Sequence, residues 1–226
     1  MKLSLDTANL DEIREGVRWG VLRGVTTNPS LIGKEDEDFL PLVKEICSIV
    51  DGDVSIETTT DDTDVLLRQG HDIAAVADNA VVKIAMTPNG LAAVRKLSDE
   101  GIRINVTLCF TSSQAILAAE AGAYIVSPFL GRLDDISTDS VRLLAEVCEI
   151  YSVQGYDTQV LAASLRHPVH VVEAARLGAD IASMPFKVFQ ALVKHPLTDA
   201  GFKKFSDDWE KAKPQLGELF PSMQEA

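Results

Sequence analysis

Eight short apolar segments alternate with eight helix-length amphipathic ones along this chain, and nothing else limits its folding options as much. Strand candidates occupy 2–6, 21–26, 53–58, 80–86, 102–108, 123–129, 158–164 and 179–184. Helix candidates fall near 9–18, 37–50, 62–78, 88–100, 112–121, 138–153, 168–177 and 186–194. Such regular alternation calls for a parallel sheet covered by its own crossover helices. With no long linker between units, closure into a (β/α)8 barrel is favoured over an open, doubly wound sheet. A length of 226 residues fits that choice, since about 250 is usual for the architecture.

Several element ends have local causes. Thr87-Pro88 supplies an N-cap followed by proline at the first helical position, and Gly101 ends that helix; His167-Pro168 and Gly178 bracket the seventh in the same way. Beyond the eighth unit, residues 198–213 read as one more helix, with Phe202, Phe205 and Trp209 on one face and Pro214 as the stop. The expected organisation is a single domain over 1–213, this helix included, with 214–226 as a tail. The aromatic stripe packs either on its own barrel or on a neighbouring subunit.

Composition narrows the function classes. A chain 46% hydrophobic and 24% charged suits one large core, and no apolar run approaches the roughly 20 residues needed to span a bilayer. The opening Met1-Lys2-Leu3-Ser4-Leu5-Asp6 reads as a strand rather than a secretory leader. Cys47, Cys109 and Cys148 are widely spaced and include no CxxC pair, which fits a reduced cytoplasmic compartment. A net charge of −13 argues against nucleic-acid binding. A phosphorylated ligand must then be met by a few local cations. The acidic runs Glu35-Asp36-Glu37-Asp38 and Asp61-Asp62 read as solvated surface near helix starts.

Lys83 is the residue that points to chemistry. It interrupts the β-branched run Val81-Val82-Lys83-Ile84-Ala85-Met86, and lysine is rarely buried without a reason. Burial disfavours an ammonium, and a neutral amine is what attacks a carbonyl, so such a site suits a Schiff-base nucleophile. The plain alternative is an edge-strand lysine reaching to water.

In a barrel, chemistry collects at the C-terminal strand ends, and this chain carries polar residues there in strand after strand. They are Asp6, Thr26 with Asn28, Glu57, Lys83, Asn105 with Thr107, Ser127 with Phe129 and Arg132, and Ser164 with Arg166. Asp6 suits proton transfer at a substrate hydroxyl, or alternatively capping of the next helix. Glu57 suits activation of a water, or alternatively an ion pair that holds Lys83 charged. Arg132, Arg166 and Ser164 suit a phosphate, or alternatively salt bridges to Asp134-Asp135. There is no GxGxxG and no Walker A pattern, His167 and His170 have no evident third metal ligand, and Cys109 reads as core.

The motifs together resemble the small, single-domain transaldolases, the group that also holds the fructose-6-phosphate aldolases. The resemblance spans nearly the whole chain. It rests on Leu5-Asp6-Thr7-Ala8-Asn9, Gly24-Val25-Thr26-Thr27-Asn28-Pro29-Ser30-Leu31-Ile32, Val81-Val82-Lys83-Ile84, Asn105-Val106-Thr107-Leu108, Ser127-Pro128-Phe129-Leu130-Gly131-Arg132-Leu133-Asp134-Asp135 and Met184-Pro185-Phe186. It implies a TIM barrel with an additional C-terminal helix and class I Schiff-base chemistry without a cofactor or metal.

By resemblance, Lys83 is the Schiff-base lysine, Asp6 the acid/base at the hydroxyl beside the cleaved bond, and Glu57 with Thr107 the pair positioning the catalytic water. Asn28, Asn105 and Ser127 would then hold the dihydroxyacetone moiety, Thr26 and Phe129 would also bind substrate, and Arg132, Ser164 and Arg166 would clamp the phosphate. Glu57 and Phe129 match the transferase pattern, whereas aldolase-type members resemble one another in carrying Gln and Tyr there. Ala85 departs from the usual proline. The implied activity is transfer of a dihydroxyacetone unit between sugar phosphates in the non-oxidative pentose phosphate pathway. The rivals are an aldolase releasing free dihydroxyacetone and an idle sugar-phosphate-binding barrel. The implied partners are small-molecule sugar phosphates, with no nucleic acid and no membrane, and copies of the chain itself in a pentamer or decamer joined through the C-terminal helix.

Overall fold

The computed structural model describes residues 1–217, 219 and 220. It divides into two compact units, Met1–Phe189 and Gln190–Ala226. The first unit is a closed barrel of eight parallel strands in sequence order, each paired with its chain neighbours and β8 closing on β1. The strands are β1 (Lys2–Asp6), β2 (Leu22–Thr26), β3 (Asp53–Glu57), β4 (Ala80–Ala85), β5 (Ile104–Cys109), β6 (Ile125–Pro128), β7 (Gln159–Ala162) and β8 (Ile181–Met184). All eight fall within the segments expected from the sequence, apart from the last residue of β5.

The helices between them are α1 (Leu10–Arg18), α2 (Pro29–Ile32), α3 (Phe39–Ile49), α4 (Thr63–Ala74), α5 (Pro88–Asp99), α6 (Ser112–Glu120), α7 (Leu130–Asp134), α8 (Ser140–Gln154), α9 (Pro168–Arg176) and α10 (Phe186–Ala191). Capping explains where several of them start. The Thr87 side chain accepts from Gly90 N at the head of α5, and His167 does the same for His170 N at the head of α9, each just before a proline. Gly101 and Gly178 follow those helices with φ of 81° and 86°, the left-handed region open to glycine. The short helices α2 and α7 were not expected; at four and five residues they carry no amphipathic period to read.

Three hydrogen bonds jump over a strand and so must cross the barrel interior. Lys2 of β1 reaches Gln159 of β7, Thr26 of β2 meets Ser183 of β8, and Asn105 of β5 donates to Ser55 of β3. Because strand side chains alternate, these contacts place Asp6, Glu57 and Lys83 on the inward face as well. A fourth such link, Arg103 to Asp53 at 2.5 Å with the Tyr124 hydroxyl on the same carboxylate, closes the N-terminal end. The N-terminal end is thus tied shut by side chains, and the C-terminal end is left for a site.

The second unit contains α11 (Pro196–Ala212) and a 3-10 turn at Lys213–Gln215. The helix expected from 198 starts at Pro196, because His195 caps it by accepting from Leu197 N and the proline takes the first position. Of the expected tail, residues 218 and 221–226 lie outside the described residues. Among the described residues no helix is long and apolar enough to cross a membrane.

Candidate active site

Lys83 sits where β4 faces the interior, 4% exposed. Its Nζ donates to the Thr27 carbonyl oxygen at 2.9 Å and lies 2.9 Å from Glu57 Oε2. β3 and β4 set this up, since their parallel register places Glu57 directly beside Lys83. The ion pair offered as the alternative reading of Glu57 is therefore present. It also changes the picture of the lysine, whose surroundings are not purely apolar. A contact of 2.9 Å is short enough for a proton to pass between the two groups.

The pocket at this end is lined by Asp6, Thr26, Asn28, Lys83, Ser127, Phe129, Arg132 and Ser164 from the expected set, joined by Leu161, Ala163 and Ser183. Its volume is about 70 Å³, room for a few waters. Asp6 accepts from the Thr26 hydroxyl at 3.0 Å. It does not cap α1; Asn9 does, accepting from Asp11 N and Glu12 N. Asn28 caps α2 with its Oδ1 on Leu31 N, which leaves its amide hydrogens for a ligand.

Four expected residues do not line this pocket. Glu57 touches it through Lys83 and also borders a second cavity of about 290 Å³ with Phe39, Thr58, Thr59, Gln69, Asp72 and Ile73. Asn105 is fully buried one layer below, accepting from Ser127 at 2.7 Å and donating to Ser55 at 3.1 Å. It braces the Ser127 hydroxyl. Thr107 pairs in register with Ala85, and its hydroxyl is buried without a hydrogen-bond partner among the described residues. Arg166 donates to Asp135 at 2.7 Å and is exposed, which is the salt bridge named as its alternative. Arg132 instead lies over the Phe129 ring, 5.1 Å from its centroid.

The segment carrying these arginines is tightly built. Leu130 N and Gly131 N donate to the carbonyls of Ala163 and Ser164, both at 3.0 Å. A side chain at residue 131 would press on the Ser164 carbonyl and the Arg166 side chain, so glycine is required. Ser164 itself holds φ 59°, an uncommon conformation for serine and of a kind that clusters at functional sites. Buried His170 accepts from Arg166 N through Nδ1 and meets Asp134 through Nε2 at 2.9 Å. Burial, reinforced by His167, keeps its imidazole below the usual histidine range.

Sequence reasoning missed Ser183 and His170 as members of this region. Ser183 could have been found from strand alternation, since Ile181 and Ser183 share a face; His170 gave no signal beyond its spacing from His167. Burial pushes the Cys47, Cys109 and Cys148 thiols up to about 11, so they stay protonated near neutrality. Among the described residues no three His, Cys, Asp or Glu side chains converge as a metal site.

Comparison with known proteins adds to this geometry. The family profile described as Transaldolase/Fructose-6-phosphate aldolase matches residues 3–220. A probable transaldolase of Thermoanaerobacter sp. (strain X514) is 55% identical over 212 residues, covering 94% of this chain and 98% of the relative. One from Aquifex aeolicus (strain VF5) is 54% identical over 211 residues, covering 93% and 97%. The probable transaldolase 1 of Listeria monocytogenes serotype 4b (strain F2365) is 53% identical over 213 residues, covering 94% and 100%.

Proposed function

The chain belongs to the transaldolase/fructose-6-phosphate aldolase family, and from that premise we propose that it is a transaldolase working through a Schiff base at Lys83. The observation that carries this reading is the buried Lys83, its Nζ 2.9 Å from Glu57, lining the same pocket as Asp6. Glu57 takes a proton from Lys83, and the freed amine adds to C2 of a ketose phosphate such as sedoheptulose 7-phosphate or fructose 6-phosphate. The same carboxyl returns the proton to the C2 hydroxyl, which leaves as water, and an iminium remains. Thr107, with its spare hydroxyl, helps hold that water.

Asp6 then accepts the C4 hydroxyl proton as the C3–C4 bond breaks. The bonding pair flows into the iminium to give an enamine, and the aldose phosphate departs. A second aldose phosphate, glyceraldehyde 3-phosphate or erythrose 4-phosphate, adds to the enamine and takes back the proton from Asp6; hydrolysis frees the new ketose. Asn28 and Ser127 hold the three-carbon unit. Arg132, Ser164 and Arg166 hold the phosphate, Arg166 leaving Asp135 to do so. Phe129 offers no hydroxyl through which a water could protonate the enamine, which favours transfer over release.

Such an activity belongs to the non-oxidative pentose phosphate pathway of the cytoplasm. The test is product analysis with fructose 6-phosphate and no acceptor. Free dihydroxyacetone is expected to stay near one equivalent of enzyme or below. Its steady accumulation would instead identify an aldolase.

A further inference from the structure

Ser183 of β8 is 1% exposed, and its hydroxyl lies 2.7 Å from that of Thr26, across β1. Thr26 in turn lies 3.0 Å from Asp6 Oδ1. Each hydroxyl carries one hydrogen, and an ionised carboxylate only accepts. The Thr26 hydrogen is therefore committed to Asp6, so the hydrogen between the two hydroxyls must come from Ser183. Donation runs in one direction, from Ser183 to Thr26 to Asp6. All three residues line the same pocket.

Resting on the reading that Asp6 receives the substrate hydroxyl proton, we propose that Ser183 is a positioning residue for the carbon–carbon cleavage step. By filling the Thr26 acceptor site, it fixes the Thr26 rotor with its hydrogen on Oδ1 of Asp6. The carboxylate is then braced through Oδ1, and Oδ2 is the oxygen presented to the C4 hydroxyl. When the proton arrives on Oδ2, Oδ1 becomes the carbonyl oxygen of a carboxylic acid and still accepts from Thr26. No bond in the chain has to break during the step. Remove the Ser183 hydroxyl and Thr26 can turn away, leaving Asp6 to swing. Imine formation uses Lys83 and Glu57 on β4 and β3, and is left alone.

That separation supplies the test. Borohydride added during turnover of fructose 6-phosphate traps imines on Lys83: a six-carbon phosphorylated adduct before cleavage, and after it a three-carbon adduct from the fraction of the enamine that has taken up a proton at carbon and become an iminium. Ser183→Ala is expected to lower kcat by roughly tenfold, equivalent to about 1.4 kcal/mol, with KM within about twofold. The trapped adduct should shift from three carbons toward six. Thr26→Val should shift it the same way, and Ser183→Ala should add nothing further in that background. Unchanged kcat and adduct ratio in Ser183→Ala overturn the proposal. So do a parallel loss of both adducts, which would mark a general packing defect, and independent multiplying effects in the double variant. If the unaltered enzyme gives no Lys83 adduct at all, the Schiff-base reading beneath the proposal fails first.

Discussion

At Lys83 burial and polar contact meet: the side chain is 4% exposed, and its Nζ is held by the Thr27 carbonyl and by Glu57. The lysine was legible in the sequence because a cation inside a β-branched run is costly without a partner. Its partners were less so: Thr27 O is a backbone atom with no sequence signature, and the Glu57 contact depends on the β3–β4 register. The pairing makes a definite prediction. Lys83→Met fills the same space without the charge, so turnover should vanish while the far-ultraviolet circular dichroism stays that of the parent. It also leaves the Glu57 side chain, 16% exposed, without its cation, so a modest fall in thermal midpoint is expected alongside. A Lys83→Met variant that still exchanges three-carbon units would show that the amine is not the nucleophile.

Among the elements, the eight strands and the helix segments that follow them were readable from their own periods, with side-chain caps marking the starts of α1, α4, α5, α6, α8 and α9. The α7 segment was not. It is five residues long, and its placement comes from backbone bonds of Leu130 and Gly131 to the β7 end, which leave no mark in a periodicity. The α9 side of the same junction rests on His170, which holds Arg166 N and meets Asp134. This element has a pH signature of determinable sign. Burial holds the His170 pKa below its ordinary value, so below about pH 6.5 the unfolded chain takes up a proton that the folded chain resists. The unfolded state then binds more protons, and stability falls as pH falls. His170→Asn keeps an acceptor for Arg166 N but cannot titrate. Denaturation midpoints measured near pH 7 and near pH 5.5 should show a steeper drop for the parent than for the variant. His71, raised by its hydrogen bond to Glu100, pulls the opposite way in both proteins and cancels in the comparison. Equal slopes would mean that His170 is not buried neutral.

For the whole molecule, regular alternation was enough to read a closed barrel, because eight βα units with short loops leave few other closures. What lay beyond a sequence reading was side-chain traffic across the interior, such as Ser183 to Thr26, which needs the barrel closed before the partners meet. In the second unit, Phe202 and Phe205 on α11 are 73% and 72% exposed. Large aromatics in that state on one helix fit a surface used between copies. We propose that this face joins copies of the chain: Phe202→Glu with Phe205→Glu should then lower the solution mass measured by light scattering and preserve helix content, and an unchanged mass would contradict the proposal. The most direct test of the chemistry is borohydride reduction with fructose 6-phosphate, followed by peptide mass mapping. A reduced three-carbon adduct is predicted on the peptide that contains Lys83. Continued turnover with no adduct there, or with the adduct on a different lysine, would contradict it.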